Sequence, residues 1–401
     1  VSAGRERIVV VGASLAGFHA ARELRELGFD GDVTVLGAEP HAPYDRPPLS
    51  KELLAGRRGA EQIALDRDDA PGVEWLLGTE ATALDLDRRV VVAGAGEVAF
   101  DGLVIATGAR PATLPGLAAL APGRPGVHAL RSLADAQRLR DDLQAGTRLL
   151  IVGAGFVGVE VATVAAAAGC DVTVVSLDAP VAVAGPQASA VCTALLGENG
   201  VRLLSGRTVA AVEERGVGRV ALLGDGTEVA FDAALVAVGA RPAVEWLEGS
   251  GLVLDDGVVC DASLAAVGAV AVVAAGDVAR WPNAATGGGL ARVEHWGNAV
   301  EQGAAAARTL LQGPGPHTAH AAVPDVWSDH LGVRLQAVGE LRRAARFELV
   351  AGVVEERRFA AAAYDAGERL VGAVAYDMPR EIARWRARLS DQIPVGSGGA
   401  S

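Results

Sequence analysis

Two glycine-rich turns, each set between an apolar strand and a helix, limit what this chain can fold into. Ile8-Val-Val-Val11 is a continuous apolar run, the pattern of a parallel strand buried on both faces. Gly12-Ala-Ser-Leu-Ala-Gly17 follows it, then a helical pattern through Leu27, then the apolar run Val33-Thr-Val-Leu36. About 140 residues later the unit recurs. Leu149-Leu-Ile-Val152 predicts a strand, Gly153-Ala-Gly-Phe-Val-Gly158 the turn, Val159 to Ala168 a helix and Val172-Thr-Val-Val175 the next strand. Each copy has a matching late element, Leu103-Val-Ile-Ala-Thr-Gly-Ala-Arg-Pro111 for the first and Leu235-Val-Ala-Val-Gly-Ala-Arg-Pro242 for the second.

The predicted fold class is therefore α/β. It has two Rossmann-like dinucleotide-binding domains, the second inserted into the first, followed by a C-terminal α+β domain. The spacing places one discontinuous domain over 4–113 and 241–313 and the inserted domain over 114–240. Gly313-Pro-Gly-Pro316 reads as a linker. A C-terminal domain over 319–392 follows, with alternating segments Val333–Val338 and Phe347–Val353 that predict an antiparallel sheet and a helix near Arg380–Leu389. Residues 393–401 read as a disordered tail.

A strand–glycine turn–helix unit lets a pyrophosphate approach the backbone and rest on a helix N-terminus, where unpaired N–H groups and the helix dipole favour anions. In the first turn Gly12, Ser14, Ala16 and Gly17 are candidates; Ser14 stands where a glycine is usual, and it is small. Glu39 lies about twenty residues on, where a carboxylate can accept both ribose hydroxyls; a surface carboxylate in a loop is the plain alternative. The second turn keeps Gly153, Gly155 and Gly158, but its strand ends in Ser176 where an acidic residue would select NADH, with Asp178 two residues late and no arginine following to select NADPH.

Net charge is −13 and the pI about 5.1, which argues against a nucleic-acid partner. Cys170, Cys192 and Cys260 are far apart with no CxxC, so there is no zinc site or redox dithiol, and a reducing, cytoplasmic setting is expected. Arg5 and Arg7 ahead of an apolar run ending at Ala20-Ala21 imitate a signal peptide, but that run carries the glycine turn and passes into a helix rich in Arg and Glu. No apolar run reaches membrane-spanning length, so no membrane partner is expected.

Seven motifs in order carry a resemblance: Tyr44-Asp-Arg-Pro-Pro-Leu-Ser-Lys51, Ala106-Thr-Gly108, Leu130-Arg-Ser132, Gly153 to Glu160, Ala275-Gly-Asp-Val-Ala279, Val293-Glu-His-Trp-Gly-Asn-Ala299 and Trp327-Ser-Asp329. Over nearly its whole length the chain resembles the FAD-dependent ferredoxin reductases that supply oxygenases, the putidaredoxin and rubredoxin reductase family, whose fold is glutathione-reductase-like. The resemblance implies FAD in the first domain and NADH or NADPH in the second. It implies that Gly12, Ala16 and Gly17 meet the pyrophosphate and Glu39 the adenosine ribose. Arg46, Pro47, Ala81, Ala106, Thr107, Gly108 and Arg131 would line the flavin cofactor. Gly276 and Asp277 would contact its ribityl or phosphate through a helix start after Asp277. Trp296 would reach the ring edge, largely through its backbone, with Glu294 and His295 also at the cofactor and Trp327 closing the ring from the C-terminal domain. Gly153, Gly155, Phe156, Val157, Gly158 and Gly239 would meet the nicotinamide dinucleotide. Core packing is the plain alternative for each tryptophan, and the preferred one for Trp281 and Trp385.

Lys51 is the only lysine among the 36 basic residues. The scarcity of Lys, Met, Asn and Ile resembles a GC-rich coding bias, under which one lysine can survive by chance. The family resemblance gives the position a role: its lysine lies by the flavin and pairs with the glutamate after the second turn, here Lys51 and Glu160, the expected catalytic pair. An ammonium is a compact, movable charge that arginine's planar fork does not replace.

The resemblance further implies a [2Fe–2S] ferredoxin as electron acceptor, feeding an oxygenase such as a cytochrome P450. A docking face is offered by Arg342, Arg343, Arg346, Arg357, Arg358, Arg380, Arg384, Arg386 and Arg388; a solvated face with interspersed glutamates is the equal alternative. Disulfide reductases and the peroxidases of this fold need cysteine beside the flavin, and Glu39–Leu54 contains none. Monodehydroascorbate reductases, a slow redox-sensing flavoprotein of apoptosis-inducing-factor type, and a relative with an altered electron donor stay open.

Overall fold

The computed structural model describes residues 6–94, 96–216, 218–313 and 317–393. Of the sequence expectations, residues 4 and 5, most of the Gly313–Pro316 linker and all but the first residue of the 393–401 tail lie outside the described residues.

Two five-stranded parallel sheets share one topology. In the first, Arg7–Val11 is central, flanked by Asp32–Gly37 and then Val73–Leu77 on one side, and by Gly102–Ile105 and then Val272–Ala274 on the other. In the second, Arg148–Val152 is central, flanked by Asp171–Ser176 and Arg202–Ser205, and by Ala233–Val236 and Val127–His128. The central strands carry branched apolar side chains on both faces because both faces are covered: Val9, Val10, Leu150 and Ile151 are all buried. The outer strand of the first sheet, Val272–Ala274, comes from beyond the second unit, so one module is threaded through the other. The chain leaves through Ala109–Pro111 and returns through Ala240–Pro242, and these repeated Ala-Arg-Pro segments pair antiparallel with Arg110 opposite Arg241. Each module also carries a three-stranded antiparallel sheet.

Two helices cover one side of the first sheet, Leu15–Glu26 and Trp296–Gln312. They touch at Gly303, where a β-carbon would stand 2.4 Å from the Ala16 carbonyl oxygen. The C-terminal module is an antiparallel sheet in the order Asp325–His330, Val333–Gly339, Leu370–Tyr376, Arg358–Tyr364, Arg346–Val353. One of its faces, with Leu335, Phe359, Val374 and Tyr376, packs on the second module. The other is covered by Pro379–Ser390 through Ile382, Trp385 and Leu389. The expected Trp385 and Trp281 packing holds; Trp281 is fully buried and its Nε1 donates to the His320 carbonyl at 3.0 Å.

Candidate active site

Both glycine turns are too tight for other residues at their ends. A β-carbon at Gly12 (φ +120°) would lie 2.1 Å from the Ala106 oxygen, and one at Gly17 would lie 1.8 Å from the Gly12 oxygen. Gly153 (φ +109°) and Gly158 repeat this against Ala237 and Gly153. The middle position differs. Ser14 has φ −113° and Gly155 φ −72°, both open to any residue, which is why a serine fits the first turn. Ser14 does not cap its helix; its Oγ instead accepts from Arg46 Nε at 3.0 Å. The first-turn N–H groups of Leu15–Glu26 are thus left for an anion.

Arg46 organises the next layer. Its Nη2 donates to Glu39 Oε1 at 2.9 Å, its Nη1 to the Arg131 carbonyl, and its guanidinium lies 5.2 Å from the Tyr44 ring centre. Tyr44 donates to Glu39 Oε2 at 2.6 Å and accepts from the Leu133 N–H at 2.9 Å. Burial pushes the Tyr44 phenol well above its ordinary pKa, so it stays a donor. Each Glu39 oxygen keeps accepting capacity beyond these contacts. Arg131 Nη2 donates to Asp277 Oδ2 at 2.8 Å and would meet a β-carbon on Gly108 at 3.2 Å. Ser14, Glu39, Arg46, Arg131 and Asp277, from four separate segments, form one hydrogen-bonded polar group. The expected helix start after Asp277 is absent: Gly276–Val278 is a single 3-10 turn that runs into the strand Ala279–Pro282, because the segment joins the sheet edge instead. The Gly276 N–H goes to Gln302 Oε1 at 2.8 Å.

Lys51 Nζ lies 2.7 Å from Glu160 Oε1, with side chains 11% and 4% exposed. Three modules meet here. Lys51 follows the 3-10 turn Pro47–Ser50, Glu160 sits on the helix Phe156–Ala167, and Ser328 comes from the strand Asp325–His330. Ser50 Oγ donates to Glu160 Oε2 and Ser328 Oγ to Oε1. A buried ion pair is tolerable only when its remaining lone pairs are met, and the two serines meet them. The Pro47 carbonyl is 3.5 Å from Nζ. Beneath Ser328, on the same strand face, His330 is buried and its Nδ1 is 2.9 Å from the Tyr376 hydroxyl. Burial, then the Lys51 charge, push its pKa down to about 4.

Two aromatic residues connect to this pair through Asp45, six residues before Lys51, and through Ser328, which follows Trp327. Trp296 begins the helix Trp296–Gln312, and its Nε1 donates to Asp45 Oδ1 at 2.8 Å. Trp327 meets Trp296 edge to face, ring centres 6.1 Å apart. The His295 side chain does not cap that helix. Glu294 pairs with Arg292, whose Nη1 also donates to the Asp277 carbonyl at 3.2 Å. Ala106 supplies the carbonyl against Gly12, and Thr107 Oγ1 donates to the Ala243 carbonyl at 2.8 Å. Ala81 is buried in the first core, and Gly239 (φ +111°) is open. Val157, within the second glycine turn, Leu177, after the strand Asp171–Ser176, and Val238, after the strand Ala233–Val236, are exposed apolar side chains.

The nine arginines do not form one face. Arg346 and Arg358 lie on the last two strands of the C-terminal sheet, and Trp327 on the first; four strand spacings put about 19 Å between the edges. Arg357 pairs with Glu198 of the second module. Arg346 is held by Glu348 and Glu368, and Arg343 by Asp365. The Pro379–Ser390 helix covers the opposite sheet face, and there Arg386 approaches Glu301 and Asp325 at 3.6 and 3.8 Å, close to the Trp296 helix. Tyr44, Ser50 and Ser328 were not among the residues expected at the site, although all three stand inside the motifs that carry the family resemblance. Nor was Arg207, which only strand register brings to Ser176.

The chain matches the pyridine nucleotide-disulphide oxidoreductase family over residues 6–303. It is 37% identical over 340 residues to the biphenyl dioxygenase system ferredoxin–NAD(+) reductase component of Paraburkholderia xenovorans (strain LB400), covering 84% of this chain and 81% of that protein. It is 35% identical over 398 residues to the p-cumate 2,3-dioxygenase system ferredoxin–NAD(+) reductase component of Pseudomonas putida, covering 97% and 95%. Among solved structures, the covalent putidaredoxin reductase–putidaredoxin complex superposes with a TM-score of 0.89 at 31% identity, covering 98% of this chain and 94% of that one.

Proposed function

Since the chain belongs to the pyridine nucleotide-disulphide oxidoreductase family, we propose that it is an FAD-dependent NAD(P)H:ferredoxin reductase serving an oxygenase. The observation that carries this reading is the buried Lys51–Glu160 pair, which ties the first glycine-turn module to the second at one point. The uncapped helix start at Leu15 and the Ser14–Arg46–Glu39 lining fit the pyrophosphate and ribose of FAD. We assign FAD to 4–113 and 241–313, the nicotinamide dinucleotide to 114–240, and the interface role to 319–392.

FAD held there would supply two-electron acceptance from a nicotinamide and one-electron release to an iron–sulfur partner. The chain's residues act around that chemistry. Gly12, Ala16 and Gly17 bring the backbone to the pyrophosphate, with Arg46 as its neighbouring cation. Glu39 accepts the ribose hydroxyls. Gly108, Arg131 and Asp277 orient the middle of the cofactor, with Pro47, Ala81, Ala106 and Thr107 behind it. Lys51 Nζ would present a positive charge to the reduced cofactor, and Glu160 holds that ammonium in place. The free N–H groups at Trp296 add the positive end of a helix dipole. Trp327, packed edge to face on Trp296, would shield the cofactor from water. Gly153, Gly155, Gly158 and the exposed Val157 receive the nicotinamide dinucleotide. We place the reaction in the cytoplasm, where NAD(P)H is supplied. No helix among the described residues is long and apolar enough to cross a membrane.

The partner is a [2Fe–2S] ferredoxin, approaching the side of the helix Pro379–Ser390, which carries Arg380, Arg384, Arg386 and Arg388 and whose Arg386 reaches Glu301 of the Trp296 helix. The test is anaerobic mixing of the FAD-loaded protein with NADH or NADPH, then with a [2Fe–2S] ferredoxin. Rapid bleaching of the flavin followed by ferredoxin reduction is expected. A purified, folded protein that takes up no FAD, or whose reduced flavin passes no electrons to any such ferredoxin, contradicts the assignment.

A further inference from the structure

The adenosine end of the second dinucleotide lacks the carboxylate that would accept two ribose hydroxyls. Its place is held by Ser176, the last residue of Asp171–Ser176. The turn after a neighbouring strand brings an arginine's backbone to it. Ser176 is opposite Ser205 in the parallel pairing, so the chain leaving Arg202–Ser205 passes beside it. The Gly206 N–H donates to the Leu177 carbonyl at 3.2 Å and the Arg207 N–H to the Ser176 carbonyl at 3.0 Å. Arg207 is therefore bonded directly to the residue that would meet the ribose.

Its side chain is half-buried and braced. Arg207 Nε lies 2.7 Å from Asp225 Oδ2, with exposures of 36% and 41%. That contact uses one of five guanidinium donors and leaves the others for a second anion. Leu177 is 69% exposed, an apolar surface next to the same position. Asp178, the late acidic candidate, is exposed, beyond the strand end. In dinucleotide-binding modules an acidic residue at this point accepts the ribose 2′-hydroxyl, whereas an arginine accommodates a 2′-phosphate.

We infer that Ser176 and Arg207 form a 2′-phosphate subsite, and that this chain prefers NADPH to NADH. Ser176 Oγ donates to the phosphate without opposing its charge, and the free Arg207 donors pair with its oxygens. The inference rests on the second glycine turn holding a nicotinamide dinucleotide.

The test is calorimetric titration of the oxidised, FAD-loaded full chain with NADP+ and, separately, NAD+, which differ only in the 2′-phosphate. NADP+ is expected to bind at least about tenfold more tightly, one charge-assisted contact. Arg207→Ala should bring the ratio of the two affinities near one, Arg207→Lys should restore part of it, and Ser176→Glu should invert it. Comparable binding of both nucleotides to the parent, or a ratio indifferent to Arg207→Ala, overturns the subsite while leaving the second turn's role intact. No binding of either nucleotide overturns both.

Discussion

Replacing Glu160 by Gln, Lys51 by Met, and both together measures how the three modules are joined. At 2.7 Å and an effective dielectric of about 20, the attraction is on the order of 6 kcal/mol before desolvation is subtracted. Glu160→Gln leaves an ammonium that is 11% exposed without a counter-charge. Breaking one side of such a pair costs about 3–5 kcal/mol. Lys51→Met leaves a carboxylate that still accepts from Ser50 and Ser328, so its loss is smaller, about 2–3 kcal/mol. The double variant carries no unpaired charge, and its loss should fall short of the sum by about 2–3 kcal/mol. The assay is urea unfolding of the FAD-loaded proteins, followed by the rise in flavin fluorescence as the modules part. Losses that add within about 0.5 kcal/mol refute the coupling, as does a Glu160→Gln protein as stable as its parent.

Glycine substitutions should separate fold from binding. Gly12→Ala puts a methyl 2.1 Å from a backbone oxygen at φ +120° and should lose on the order of 3–5 kcal/mol in urea unfolding. Gly155→Ala meets nothing within 4 Å and should change stability by less than about 0.5 kcal/mol, yet weaken NAD(P)+ binding in the same titration, because the backbone there meets the pyrophosphate. Acid should loosen the fold: burial lowers His320 and His330 from 6.5 to about 4. Between those values the unfolded chain takes up protons that the folded chain refuses, so stability falls as pH drops from 6.5 towards 4, by on the order of 3 kcal/mol per histidine. A flat stability profile from pH 7 to 4.5 contradicts this. Ferredoxin reduction should slow as salt rises; Arg380→Ala with Arg384→Ala should flatten that dependence and Arg346→Ala should not. Equal effects from both sets would place the dock elsewhere.

The two α/β modules were legible because a buried parallel strand, a glycine turn and a helix each need particular residues, and all three recur in order. The C-terminal sheet followed from its alternation. Ser14 looked irregular until its negative φ explained it. Long-range register was not legible: Arg207 reaches Ser176 through a strand pairing thirty-one residues away, and nothing local in either segment announces it. The same limit hid the split of the arginines, since neighbours in sequence such as Arg346 and Arg357 sit at one edge of a sheet whose opposite edge carries Trp327. Ser50 and Ser328 lay inside motifs already singled out. Their task, filling the lone pairs of a buried carboxylate, emerges only once Glu160 is seen to be 4% exposed. The missing helix after Asp277 has a related cause: Ala279–Pro282 pairs with Val258–Val259 and Leu290–Ala291, and pairing overrode the local pattern.

The most direct measurement is the rate at which NADPH and NADH bleach the flavin of the FAD-loaded Lys51→Met protein under anaerobic stopped flow. The single ammonium, held by Glu160 against the cofactor, should be worth about 100-fold or more in that rate at saturating nucleotide, with FAD still bound. Bleaching at the parental rate would contradict the account at its centre.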